Sequence, residues 1–273
     1  MQQREQSLRS RGSHGVKRWV LVTSGKGGVG KSLVARLLAE AKRAMAPATW
    51  LLDGDGEVGQ LAQYLGTRDE HGRLERGQRG DSGVDTFALH DWRDDSGMRD
   101  VIDGLVAPLR AAQADVLVDL PAASLSILAA LERETKLATE AARLGFRPTL
   151  VVPISPLVAS RLSIADALEL GSGYDVVAVR SEFWGNDGDY RRWLTSKLRA
   201  QLLERGGREV VVPRLRGWII VDLDERHLPF AAATRPGVLD YPDDEMLSRW
   251  LTTARAALDA AGDFLGLPTP IRS

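Results

Sequence analysis

The chain has 273 residues, 44% of them hydrophobic and 27% charged, with a formal net charge of -1. That balance excludes a collagen-like, low-complexity or largely disordered polypeptide, and any contact with nucleic acid or an acidic membrane has to come from a local patch. Cysteine is absent, which excludes disulfides, thiolate zinc sites, cysteine nucleophiles and cysteine-held iron-sulfur clusters.

Residues 1–17 are polar and basic, with Arg4, Arg9, Arg11 and Lys17 against Glu5 alone. They lack the apolar core of a signal peptide and read as a flexible tail. Aliphatic runs suited to strands follow at 19–23, 49–52, 116–118, 150–154, 176–179 and 210–212. Between them, helical periodicity appears at 31–45, 98–113, 125–144, 158–170, 190–204 and 243–261. This alternation predicts an α/β fold with a mostly parallel, twisted sheet. Strands apolar at consecutive positions predict helices on both of its faces. Segment 66–96, charged and glycine-containing with little periodicity, reads as a surface excursion. The expected organisation is one domain over 18–265 and a C-terminal tail over 266–273. No run reaches the length of a transmembrane helix, and a cytoplasmic protein is expected.

The first strand runs into Ser24-Gly25-Lys26-Gly27-Gly28-Val29-Gly30-Lys31-Ser32 and then into the helical pattern that begins with Leu33 and Val34. The loop fits G-x-x-x-x-G-K-[ST] in the order strand, loop, helix, which is the context a phosphate-binding loop requires. Glycines let successive amides from Gly25 to Leu33 point at phosphates, Lys31 bridges the outer two, and the Ser32 hydroxyl suits magnesium. The second strand ends in Asp53-Gly54-Asp55-Gly56-Glu57 and the third in Asp119-Leu120-Pro121-Ala122-Ala123. Carboxylates at the C-terminal ends of parallel strands stand where ligands bind. Asp119, closing an apolar run, suits holding magnesium together with Ser32.

The stretch Lys26-Gly27-Gly28-Val29-Gly30-Lys31-Ser32 resembles the deviant Walker A motif of the MinD and ParA ATPases. The resemblance implies ATP and Mg²⁺ as cofactors, Asp53 as first choice and Asp55 as second for the carboxylate that orients the attacking water, Asp53 with Ser32 and Asp119 toward magnesium, and a homodimer formed on ATP, with Lys26 reaching the partner's phosphates. In that family the first switch commonly continues Pro-Gln, where this chain has Gly56-Glu57, and the second has glycine where this chain has Ala123. Slow, partner-stimulated hydrolysis is therefore expected. Trp184-Gly185 and the run from Lys31 to Glu40 are similar to the conjugal-transfer TraL and plasmid-stability StbB type. Where the family reads adenine with asparagine, this chain has Arg180-Ser181, so Ser181, Pro213 and Arg214 are the expected purine contacts.

Arginine and lysine outnumber acids over 180–216, and Arg191, Arg192 and Lys197 form a candidate surface for nonspecific DNA binding. The C-terminal amphipathic helix carries Asp259 and Asp263 and suits core packing better than a membrane surface. The resemblance points to a switch ATPase in plasmid partition, plasmid stability or conjugative transfer, with a centromere-binding, relaxosome or secretion component as partner. Two other readings fit the same loop. One is a metabolic P-loop ligase or kinase, for which Lys26 would have no use. The other is a nucleotide-binding adaptor with impaired hydrolysis.

Overall fold

The computed structural model describes residues 16–89 and 95–267. The proposed tails therefore fall largely outside the described residues, as does part of the 66–96 excursion. Seven strands, β1 (Lys17–Ser24), β2 (Trp50–Asp53), β3 (Asp85–Thr86), β4 (Val116–Ala122), β5 (Phe146–Ile154), β6 (Asp175–Ser181) and β7 (Arg208–Val212), form one sheet in the order β3-β2-β4-β1-β5-β6-β7. Every pairing is parallel.

Side chains alternate between two cores, as the two-residue period of a strand dictates. Val20, Val22, Leu51, Leu117, Val151 and Val177 enter one core. Trp19, Leu21, Leu52, Val118, Leu150 and Val152 enter the other. The first core is covered by helices α1 (Lys31–Met45) and α11 (Asp243–Leu258), through Val34, Leu37 and Leu38 of one and Leu247, Leu251 and Ala254 of the other. The second is covered by α3 (Asp95–Ala111), α4 (Ser124–Thr135) and α6 (Val158–Glu169), through Val101, Leu105, Leu128 and Ile164. Burying a Leu or Val side chain is worth about 1.5–3 kcal/mol, so the doubly covered strands carry much of the stability.

The structure differs from the sequence expectation in five places. The helix expected over 125–144 is two, α4 and α5 (Leu137–Arg143), because Lys136 takes a left-handed conformation with φ 55°. The helix expected over 190–204 is also two, α7 (Arg191–Leu194) and α8 (Lys197–Glu204). There the Ser196 hydroxyl accepts the Arg199 amide at 3.1 Å and starts a new helix. The charged excursion contributes β3, which pairs Asp85 with Leu52 and Thr86 with Asp53. It is also pinned to the sheet edge where Leu51 and Arg43 donate to the Gly80 carbonyl, each at 2.8 Å. The remaining two differences are helices without an anticipated counterpart, α2 (Gln60–Leu65) and the pair α9 (Gly217–Glu225) and α10 (Phe230–Ala233).

Candidate nucleotide site

Because the strands are parallel, their C-terminal ends gather the loop after β1, the loop after β2 and the end of β4 at one edge of the sheet. β1 lies between β4 and β5, so the glycine loop occupies the middle of that edge. Gly28 and Gly30 both sit at positive φ, 76° and 89°, and a Cβ at either would meet no protein atom within 4 Å. Left-handed backbone facing open space is what glycine permits at no cost, and it turns the loop around a concave surface. α1 starts at once, with the Val34 amide donating to the Gly30 carbonyl at 3.1 Å. The loop is braced from behind: the Gly25 amide donates to Ser163 Oγ of α6 at 2.9 Å, and Ser24 Oγ donates to the Lys26 carbonyl at 2.8 Å.

A cleft of about 400 Å³ is lined by Lys26, Lys31, Ser32, Asp55 and Gln60 together with the loop glycines. Lys31 turns inward, its Nζ 2.8 Å from Asp119 Oδ1 in a largely buried ion pair. Burial pushes the Asp119 carboxyl up, while the Lys31 ammonium and the Ser32 hydroxyl pull it back. Lys26 is exposed at the rim, and among the described residues its ammonium has no ion-pair partner.

Asp53 and Asp119 are paired in register across β2 and β4. Asp53 points below the loop, not into the cleft. Its Oδ1 accepts the Asp55 amide and its Oδ2 the Ala62 amide, each at 3.0 Å, tying the loop after β2 to the start of α2. Burial and the neighbouring Asp119 raise its pKa to about 7, against those two hydrogen bonds. Gly59 passes so close that a Cβ there would fall on the Asp53 carboxylate. Asp55, the second choice from sequence, lines the cleft. Ala123 adopts φ 62° and ψ 17° at the start of α4, and its amide donates to the Ser24 carbonyl at 2.9 Å. An alanine thus holds a backbone geometry that glycine adopts freely.

The expected purine contacts sit at the same sheet edge but do not line this cleft. Ser181 is buried at the end of β6, its Oγ accepting the Phe183 amide at 3.4 Å and its carbonyl accepting from Tyr190 Oη at 3.1 Å. The Pro213 carbonyl accepts from Trp250 Nε1 at 2.8 Å, and Arg214 is exposed. Arg180, beside Ser181, is committed to Asp187 and Glu209 at 2.6 and 2.7 Å. Arg191, Arg192 and Lys197 are all exposed on α7 and α8. Gln60, Ala122 and Ser163 were not anticipated as parts of the site. Gln60, three residues beyond Glu57, was the one with a legible signal, since a polar residue opening a helix right after the carboxylate loop borders any ligand held there.

The residues present fit a magnesium nucleotide. Open space faces the left-handed glycines, a lysine and a hydroxyl converge on one carboxylate, and a second carboxylate borders the cleft. Among the described residues no cluster of three or more His, Asp or Glu is placed to hold a metal. Magnesium commonly needs no such cage, taking one or two protein ligands with phosphate and water.

Fold and cleft together place a loop of the P-loop pattern at the end of β1, open toward the cleft. Residues 15–80, which hold β1, the glycine loop and β2, match the family model described as ParA, NUBPL iron-transfer P-loop NTPase. No curated protein matches it. Similar solved structures include the MinD cell division protein of Aquifex aeolicus, 17% identical, covering 86% of this chain and 96% of that one at a TM-score of 0.43. The MinC:MinD complex from the same organism is 18% identical, with 94% and 99% covered and a TM-score of 0.45. An ADP-bound nucleotide-binding protein of Archaeoglobus fulgidus is 16% identical, with 78% and 86% covered and a TM-score of 0.43. Among the described residues no helix is long and apolar enough to cross a membrane.

Proposed function

We propose that this chain is a switch ATPase that binds ATP with Mg²⁺, pairs with a second copy across the nucleotide edge, and separates after hydrolysis. The observation that carries the reading is the division of labour between the two loop lysines. Lys31 is held inside the cleft by Asp119, whereas Lys26 stands exposed at its rim. A charge in that position suits phosphates approached from a facing copy. Leu157 just before α6, Val158 and Leu162 on α6, which braces Gly25, and Phe183 and Trp184 after β6 are exposed at the same edge, and apolar side chains grouped this way favour a protein interface. Bound ATP supplies the transferable phosphoryl group, and Mg²⁺ supplies charge neutralisation. Lys31, the loop amides and Ser32 hold the nucleotide, Asp119 holds Lys31 and Ser32 in place, Asp55 borders the reacting end, and Asp53 fixes the loop that carries Asp55.

Plasmid partition, plasmid stability or conjugative transfer is the process the TraL and StbB similarity suggests, in the cytoplasm, with DNA contacted through Arg191, Arg192 and Lys197. The adaptor reading has its own support: Ala123 is held left-handed at the end of β4, and Asp53 is tied by hydrogen bonds beneath the loop and does not line the cleft. Turnover per chain as a function of protein concentration tests the main reading. An ATPase that works as a pair gains specific activity with concentration, and a rate per chain that stays constant and fast would favour a monomeric metabolic enzyme.

A further inference from the structure

At the opposite edge of the sheet, where β5, β6 and β7 begin, a recess of about 520 Å³ is lined by Arg147, Arg205, Asp175, Ser172, Gly206 and Phe264 among others. It lies about 20 Å from the nucleotide edge, the length of the seven-residue β6 at about 3.3 Å per residue. Its charge is unbalanced. Asp175 accepts a forked pair from Arg147, Nε to Oδ2 at 3.2 Å and Nη2 to Oδ1 at 2.7 Å, and a further bond from Arg18 Nη1 at 2.5 Å. Burial alone raises its pKa, but the bonds from Arg147 and Arg18 outweigh it, so the carboxylate stays ionised and is still overmatched two to one.

Two more guanidiniums stand at the margin without a carboxylate partner among the described residues. Arg205 donates only to the Leu168 carbonyl, at 3.1 Å, and Arg208 lies over the Phe264 ring at 5.0 Å. Arg18 approaches the same ring at 5.6 Å. The far wall is made of backbone: Gly171 and Gly206 are left-handed, and a Cβ on either would meet nothing within 4 Å. Behind the recess, Glu132 accepts from Tyr174 Oη at 2.7 Å, and Asp115 accepts the Arg18 amide at 2.7 Å.

From this arrangement we infer that the recess is a second anion site, which takes a small phosphate-bearing ligand between Arg205, Arg147 and the turns at Gly171 to Ser172 and Gly206 to Gly207. Guanidinium forks match the oxygens of phosphate, and the volume is that of a small-molecule pocket. A nucleic-acid strand would instead need an open track of cations along the surface. The inference is independent of what the glycine loop binds.

The test is amide-resolved NMR of the full chain titrated with inorganic phosphate, sodium chloride at matched ionic strength, and a single-stranded oligonucleotide without terminal phosphate. Saturable shifts at Gly171, Ser172, Gly206 and Gly207 with phosphate alone are expected. Arg205→Gln, at an exposed position, should weaken that binding at least about tenfold, the loss of one charge-assisted hydrogen bond, while leaving shifts at Gly28 and Gly30 unchanged. Arg205→Lys should recover part of it. Equal shifts in chloride, no saturable shift, or an unaffected Arg205→Gln chain would overturn the site. Tighter binding of the oligonucleotide than of phosphate would overturn it in favour of a nucleic-acid surface.

Discussion

Replacing Asp53 by Asn in the metal-free protein isolates the cost of a carboxylate buried beneath the loop after β2. Asp53 is 1% exposed, and burial, with Asp119 adding repulsion, takes its pKa from 3.8 to about 7. A rise of about three pH units is worth about 4 kcal/mol, at about 1.4 kcal/mol for each. Between those two values the folded chain holds more protons than the unfolded one. Stability from this group is therefore full at low pH, falls as pH rises through that window, and is flat above it. Asn removes the charge but offers one carbonyl oxygen to the two amides of Asp55 and Ala62, a loss of about 1–3 kcal/mol. Asp53→Asn should thus be more stable than wild type by about 1–3 kcal/mol at pH 8 and show no advantage at pH 4.5. Urea denaturation in EDTA at both pH values measures this. A difference independent of pH, or a wild-type chain that gains on Asn as pH rises, would refute the placement of an ionisable Asp53 in that pocket.

Three further outcomes are expected. Lys31→Ala should abolish nucleotide binding by calorimetry; because it also strands the buried Asp119 carboxylate, a thermal melt run alongside separates lost binding from unfolding. Ala123→Gly relieves a left-handed alanine, worth about 1–2 kcal/mol, against about 0.4–1 kcal/mol of added unfolded-chain entropy; it should melt no lower than wild type and hydrolyse ATP faster. Reversing Arg191, Arg192 and Lys197 to Glu together should remove salt-sensitive DNA retention in a filter assay, and retention equal to wild type would place the DNA surface elsewhere.

The glycine loop, the parallel sheet and the carboxylates at the strand ends were legible because each depends on local chemistry. A left-handed turn needs glycine, and a doubly covered strand needs consecutive apolar residues. What was not legible depends on partners distant in sequence. β3 is two polar residues whose strand character comes from pairing with Leu52 and Asp53. The break at Lys136 has no glycine or proline to announce it. Which of Asp53 and Asp55 lines the cleft was equally hidden, since the two differ only in which way the chain turns, and the Ala62 amide that holds Asp53 belongs to a helix too short to show a period. The recess at the far edge assembles Arg18, Arg147, Asp175 and Arg205 from segments up to 187 residues apart, beyond any spacing rule.

The pairing of two copies through Lys26 is the central claim, and the most direct measurement is molar mass by light scattering coupled to gel filtration. Wild type and Lys26→Ala would be compared with ATP and Mg²⁺ in the hydrolysis-blocked Asp55→Asn background, with ADP as control. Wild type should run as a dimer in ATP and a monomer of 29.8 kDa in ADP. Lys26→Ala, which keeps Lys31, Ser32 and the loop amides, should still bind ATP yet remain monomeric. A wild-type chain that stays monomeric in ATP, or a Lys26→Ala chain that dimerises as well as wild type, would contradict the account.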